Sequence, residues 1–291
     1  MAEYNVTLDS TGPLINGLGE WQGSNSPLLV GEDATKYYDG TVAMTNIQGA
    51  SSVITFNGTA IYLYGSRGLK YGEFMVTIDS LVAFNSTEGS TDMLYQQLIY
   101  HNTNLTMGTH TLTLTNTFSN SARNLMAIDY YVWTTQIGSE GSIIASNNTI
   151  EWSNSTAWSF NGAWSQTGTS SLYPAFANGA SYTNTANANA ILTFEGDAVT
   201  VYGATSNLTG PYQVSLDQAS IITYTAYHTE VNKEVIIFYA DNLGPGVHEL
   251  IFVNNPNELG PDNTLVIEKA IVVQATAPSA HHSKYVSRLS R

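Results

Sequence analysis

Between His110 and Asn116 apolar and hydroxyl side chains take turns along the chain, in the order His-Thr-Leu-Thr-Leu-Thr-Asn. A period of two places successive side chains on opposite faces, so this run predicts a strand with one buried face. Phe74, Val76 and Ile78 alternate in the same way with Glu73, Met75, Thr77 and Asp79. Gly and Asn clusters separate such runs at hairpin-like intervals, which predicts about eight strands in each half of the chain and no amphipathic helix. Two sheets facing each other bury alternating faces of this kind.

The pattern also repeats. At an offset of 138 residues Ile54-Thr55-Phe56 matches Leu192-Thr193-Phe194, Tyr64-Gly65 matches Tyr202-Gly203, and Gly72 matches Gly210. The same register pairs Ile78-Asp79 with Leu216-Asp217, His110 with His248, Leu112 with Leu250 and Asn116 with Asn254. It shifts to 139 for Ile128-Asp129 with Ile267-Glu268, and to 145 for Asn16-Gly17 with Asn161-Gly162. A register that holds along strands and slips only at loops is the mark of a duplicated domain. The expected organisation is a first domain over 1–137, a Gly/Ser/Asn linker over 138–145, a second domain over 146–275 and a disordered tail over 276–291.

Composition agrees with an all-β reading. Of 291 residues only 11% are charged, too few for long solvated helices, while 18 are Tyr and 24 Gly. The net charge of −14 arises from a shortage of bases, nine Lys and Arg in all. A polyanion is repelled by such a chain, which argues against nucleic acid and anionic membranes as partners. Without cysteine there is no disulfide framework and no thiolate metal site. No apolar run is long enough to span a bilayer, and Met1-Ala2-Glu3-Tyr4 has no leader character, which suggests a mature sequence with an initiator Met. N-x-[ST] sequons begin at Asn5, Asn57, Asn85, Asn104, Asn147, Asn154 and Asn207, a density that favours a secreted or cell-surface glycoprotein.

Three signatures carry a family likeness: the strand pairs Phe56 to Gly65 and Phe194 to Gly203, the strand ending in Ile78-Asp79 or Leu216-Asp217, and the Gly-x-His-x-Leu segment that runs to Asn116 or Asn254. Together with Ile128-Asp129-Tyr130-Tyr131-Val132 they make each half resemble the galactose-binding-like jelly roll of carbohydrate-binding modules. The halves look particularly like the tandem domains of secreted or surface proteins of mushroom-forming fungi. The resemblance implies two tandem β-sandwich domains and a glycan partner, but its marks are scaffold marks. A structural calcium ion is common in such modules, yet the acidic positions here form no recognisable ion-binding loop.

Candidate site residues divide between scaffold and loop. His110 and His248 have no ligand-type neighbour two or four places away in both halves, so they read as structural, and Asp79 and Asp217 read as turn caps. Residues present in only one half are the better functional candidates. In the first half Arg67, Lys70 and Tyr71, with Tyr37 and Tyr38 from an upstream loop, are expected to offer cationic donors and aromatic faces to a sugar. In the second, Trp152, Trp158, Trp164 and Tyr173 make a stacking platform if exposed and core aromatics if buried.

No local serine-hydrolase, zinc-protease or nucleotide-binding motif occurs. Glycoside hydrolysis needs only two suitably spaced carboxylates, for which Glu20, Glu32, Asp33 and Asp39 are the candidates. The leading expectation is therefore a non-catalytic protein that binds a neutral or weakly acidic polysaccharide through loops of the first domain, with no cofactor and no metal. The alternatives are a glycoside hydrolase or polysaccharide lyase, where Arg67 and Lys70 favour a uronic-acid substrate, and a self-associating adhesive protein.

Overall fold

In the computed structural model, residues 1–29, 31–86, 90–167, 179–255 and 263–277 are described. Tyr173 and most of the expected tail lie outside them. Among the described residues every regular element is a β-strand apart from three short 3₁₀ turns at Pro27–Leu29, Ala34–Lys36 and Tyr38–Gly40. No helix among them is long and apolar enough to cross a membrane.

The strands of the first half are β1 (Ala2–Asp9), β2 (Ile15–Leu18), β3 (Ala43–Thr45), β4 (Ser51–Gly58), β5 (Ala60–Arg67), β6 (Phe74–Ile78), β7 (Leu81–Asn85), β8 (Leu94–Asn102), β9 (Gly108–Asn116) and β10 (Met126–Ile137). They form two antiparallel sheets of order β1-β10-β5-β8, with β3 also on β10, and β2-β4-β9-β6-β7. The second half contributes β11 (Ile143–Glu151), β12 (Trp158–Asn161), β13 (Ser165–Gln166), β14 (Ser181–Thr183), β15 (Asn189–Glu195), β16 (Ala198–Thr205), β17 (Pro211–Leu216), β18 (Ile222–Thr225), β19 (Asn232–Asp241), β20 (Val247–Asn254) and β21 (Leu265–Thr276). Its sheets run β13-β14-β21-β16-β19, with β11 on β21, and β12-β15-β20-β17-β18. β11 thus begins inside the stretch expected to be a linker.

In the first half the two sheets share one core. Val6, Leu8, Ile61, Leu63, Ile128, Tyr131 and Trp133 from one sheet meet Ile54, Phe56, Val76, Leu112 and Leu114 from the other. The rings of Phe56 and Trp133 lie 6.5 Å apart, and the Ser52 and Tyr131 hydroxyls are 2.9 Å apart across the gap. A second core gathers Leu192, Phe194, Val201, Tyr212, Val214, Leu250, Phe252 and Ile267 in the same manner.

One acid in each closing strand sits where the alternation breaks. Residues 126 and 128 point inward, as do 131, 133 and 135, and the strand shifts register between Ile128 and Tyr130. Asp129 is the extra residue of that bulge, and Glu268 occupies the matching bulge of β21. Facing each bulge the partner strand carries a glycine: a Cβ on Gly65 would fall 2.3 Å from the Ala127 carbonyl oxygen, and one on Gly203 would fall 2.2 Å from that of Val266. Close approach of backbone, and not a positive φ, is what glycine provides at both positions.

The halves are packed against each other. Ile236 of β19 enters the first core, Tyr239 meets Trp133 edge-on at 5.2 Å, and Asn57 Nδ2 donates to Asp241 Oδ1 at 2.7 Å. Ala2, Ile137, Ala198 and Val273 form a small apolar cluster between them.

Candidate functional site

The loop residues singled out in the first half are brought together, but largely under cover. Tyr37 and Tyr71 are each 3% exposed and belong to an apolar cluster with Leu29, Val42 and Leu125. Both phenols donate to the same oxygen of Glu32, at 2.7 and 2.9 Å. Burial, reinforced by that carboxylate, pushes both phenols above their ordinary range. Neither ring presents a face to solvent. Tyr38 is half-buried and heads a column in which Tyr130 lies 4.9 Å from it and 4.4 Å from Tyr64. Arg67 is half-buried at the end of β5, while Lys70 is exposed and lines a shallow pocket of about 240 Å³ with Glu32, Tyr71 and Met93.

The tryptophans behave as packing groups. Trp158 is 3% exposed and stacks on Phe160 at 5.8 Å; Trp164 meets Phe160 edge-on at 4.9 Å and donates Nε1–H to the Asn161 carbonyl. Trp152 is half-buried in the turn after β11. Tyr173 lies outside the described residues.

The four acids considered for catalysis are scattered. Asp33 caps a 3₁₀ turn by accepting from Thr35 N–H, Glu32 is held by the two phenols, and Glu20 is exposed. Asp39 lines a cleft of about 270 Å³ between the halves, together with Asp9, Glu234, Tyr4, Tyr38 and Tyr202. Partial burial and Glu234 raise its carboxyl, while Asp9, largely buried, is raised despite bonds from Thr11 and Thr41. Beside them Asp129 is fully buried; Oδ1 accepts the Tyr38 N–H at 2.8 Å and Oδ2 has no partner among the described residues. Burial pushes its carboxyl up to about 7. No group of three or more His, Asp or Glu among the described residues is placed to hold a metal ion.

His110 and His248 form matched clasps. Nδ1 of His110 is 2.7 Å from Asp79 Oδ2 and Nε2 is 2.8 Å from the Thr106 carbonyl; His248 makes the corresponding contacts to Asp217 and Gly244. Two acceptors on one ring call for two N–H groups, the charged imidazolium. Burial opposes that charge, but the acceptors outweigh it and both histidines sit above their ordinary value. Each Asp also accepts from the strand backbone, Thr111 N–H or Glu249 N–H at 2.9 Å. Neither acid lies two or four places from its histidine, yet the spacing of 31 residues is common to both pairs.

The largest of these clefts, about 710 Å³, was not anticipated and lies between the halves. Its walls are Trp21, Asn16, Gln22 and Ser52 on one side and Tyr224, Thr225, Tyr227 and His228 on the other. Trp21 is anchored by Nε1–H to the Ser51 carbonyl at 3.1 Å, and Tyr227 is 54% exposed. One latch sets its rim. Glu230 accepts from Ser24 N–H at 3.0 Å and Asn25 N–H at 2.5 Å, so the loop after Trp21 is tied to the loop before β19. Gly23 makes room for it, since a Cβ there would stand 2.7 Å from the Glu230 carboxyl carbon. No Lys, Arg, Asp or Glu among the described residues lines this cleft, and its volume falls in the range of about 300–1,000 Å³ usual for ligand sites.

No protein-family model matches the chain, and no curated protein matches it. Among solved structures it is similar to a Paenibacillus xanthan lyase (10% identity, TM-score 0.32, 94% of this chain and 26% of that one). It is also similar to a family two carbohydrate esterase from Cellvibrio japonicus (12%, 0.33, 46% and 34%) and to the tandem CBM22-1–CBM22-2 domain of Paenibacillus barcinonensis Xyn10C (11%, 0.26, 96% and 98%). The chain spans about a third or less of the lyase and the esterase. Superpositions this loose carry no argument about the chain's chemistry, which rests on the geometry above.

Proposed function

We propose that the chain is a non-catalytic carbohydrate-binding protein, built from two tandem β-sandwich domains related by duplication, and that the cleft between them takes the glycan. The observation that carries this reading is the lining. Half-exposed aromatic rings from both halves face side-chain amides and hydroxyls, the combination that matches the CH faces and hydroxyls of a sugar. The cleft is therefore favoured over the loop of Arg67 and Lys70, where the aromatic partners are buried. Six of the seven sequon asparagines are exposed, which fits a secreted glycoprotein; Asn57 is tied to Asp241.

Titration of the full chain with a panel of wall oligosaccharides tests this. Trp21→Ala is expected to weaken binding tenfold or more, and Arg67→Ala to leave it unchanged. The opposite pattern moves the site to the loop, and no binding across the panel sinks the reading.

The smaller cleft favours a second reading, a glycoside hydrolase, because Asp9 and Asp39 are both raised there and a raised carboxyl is what a general acid needs. Release of reducing ends that disappears in Asp39→Asn would establish it in place of the first.

A further inference from the structure

We infer that the large cleft selects uncharged sugar chains, and that His228 is a specificity-determining residue which presents its Nε2–H to a ligand oxygen. This deepens the carbohydrate reading and rests on it.

The tautomer of His228 is set by groups behind it. Its Nδ1 accepts from the backbone N–H of Glu230 and is 3.1 Å from Asn232 Nδ2. A backbone N–H cannot reverse its role, so Nδ1 is the bare nitrogen and the proton of the neutral ring is on Nε2. Asn232 is itself fixed, donating through Nδ2 to Thr205 Oγ1 at 3.0 Å, and both residues are buried. The chain Thr205–Asn232–His228 thus holds Nδ1 from behind, and among the described residues Nε2 has no protein hydrogen-bond partner where His228 lines the cleft. A donor held in this way discriminates for an oxygen acceptor, because a ligand lacking one leaves the N–H desolvated and unpaired.

Charge sets the second half of the preference. The Glu230 carboxylate is locked against the rim by Ser24 and Asn25, the Asp9 carboxylate is bonded to Thr11 in the wall, and no cationic side chain among the described residues lines the cleft to offset them. A uronate brought here meets like charge on a chain already at −14. A neutral sugar meets none.

The test uses the full chain and calorimetric titration with matched neutral and uronate oligosaccharides, namely gluco-, galacto- and xylo-oligomers against oligogalacturonates. Neutral oligomers are expected to bind at least tenfold more tightly at low salt, with the gap narrowing as salt rises. His228→Phe, which keeps bulk and removes the donor, is expected to lose about tenfold for the neutral ligand. Nitrogen-15 NMR of the unaltered protein supplies a reading that does not depend on the variant folding: an Nε2-protonated ring whose Nε2 resonance moves on ligand saturation. Equal binding of both classes overturns the charge preference while the carbohydrate reading stands. An Nδ1-protonated ring, or an Nε2 resonance that ignores ligand, overturns the role of His228. Absence of binding by every oligomer removes the carbohydrate reading itself.

Discussion

Replacing Gly23 by alanine should strike the latch between the halves without touching either core. The backbone at Gly23 needs no positive φ, so alanine brings no conformational strain of its own. The cost comes from the new methyl, which falls 2.7 Å from the Glu230 carboxyl carbon and Oε1 and 2.8 Å from Oε2. The carboxylate must move away, and two N–H···O bonds to a charged acceptor go with it. Such bonds contribute about 1.5–3 kcal/mol each when buried. Here the Asn25 bond is exposed and Glu230 half-buried, so water recovers part of the loss and about 2 kcal/mol in total is expected for Gly23→Ala. Glu230→Ala should cost about the same, since it deletes the same pair of bonds. The double variant should cost no more than either single one, giving a coupling of about 2 kcal/mol. Urea unfolding followed by tryptophan fluorescence measures all three, and glycan titration should show weaker binding in each. Strictly additive costs, about 4 kcal/mol for the double variant, would refute the claim that Gly23 acts through Glu230.

The histidine clasps give a pH signature. A raised imidazole contributes stability that is full below its unfolded value and is lost as pH rises through the higher folded one; a lowered carboxylate contributes above its unfolded value and loses its share as pH falls. The Asp79–His110 and Asp217–His248 pairs should therefore stabilise most between about pH 4 and about pH 6.5, and His110→Ala should cost about 2 kcal/mol there and less at pH 9, read from urea midpoints. Asp129, a raised group like the histidines, shares their sign and opposes that of the lowered aspartates. Its carboxyl titrates near 7 in the folded chain and near 4 unfolded, so it removes stability as pH rises between them, and Asp129→Asn should flatten that slope; an unchanged slope would mean that the charge is solvated. Thr205→Ala should weaken neutral-glycan binding severalfold by freeing Asn232 and with it His228, whereas an inert result would uncouple that chain from the cleft.

The alternation at His110–Asn116 and at Phe74–Ile78 was enough to read β9 and β6, because a period of two is a local property of the chain and survives whatever packs on it. The all-β class was legible for the same reason. So was the shared position of Asp129 and Glu268, though not the bulge that hides them, since a bulge is defined by the neighbouring strand. The histidine clasps lay one step further off: Asp79 and His110 are 31 residues apart, and only the return of β9 against β6 brings them to 2.7 Å. What failed from sequence was burial. Tyr37 and Tyr71 resemble loop aromatics when read in place, and become core residues because two separate loops meet and Leu29, Val42 and Leu125 close over them. The wide cleft is the extreme case. Trp21 and Tyr227 come from different halves, and no local pattern records that Glu230 reaches across to hold the loop at Gly23. Strand identity is written in nearest neighbours, whereas which side chains face one another across two packed halves is decided only when the surfaces meet.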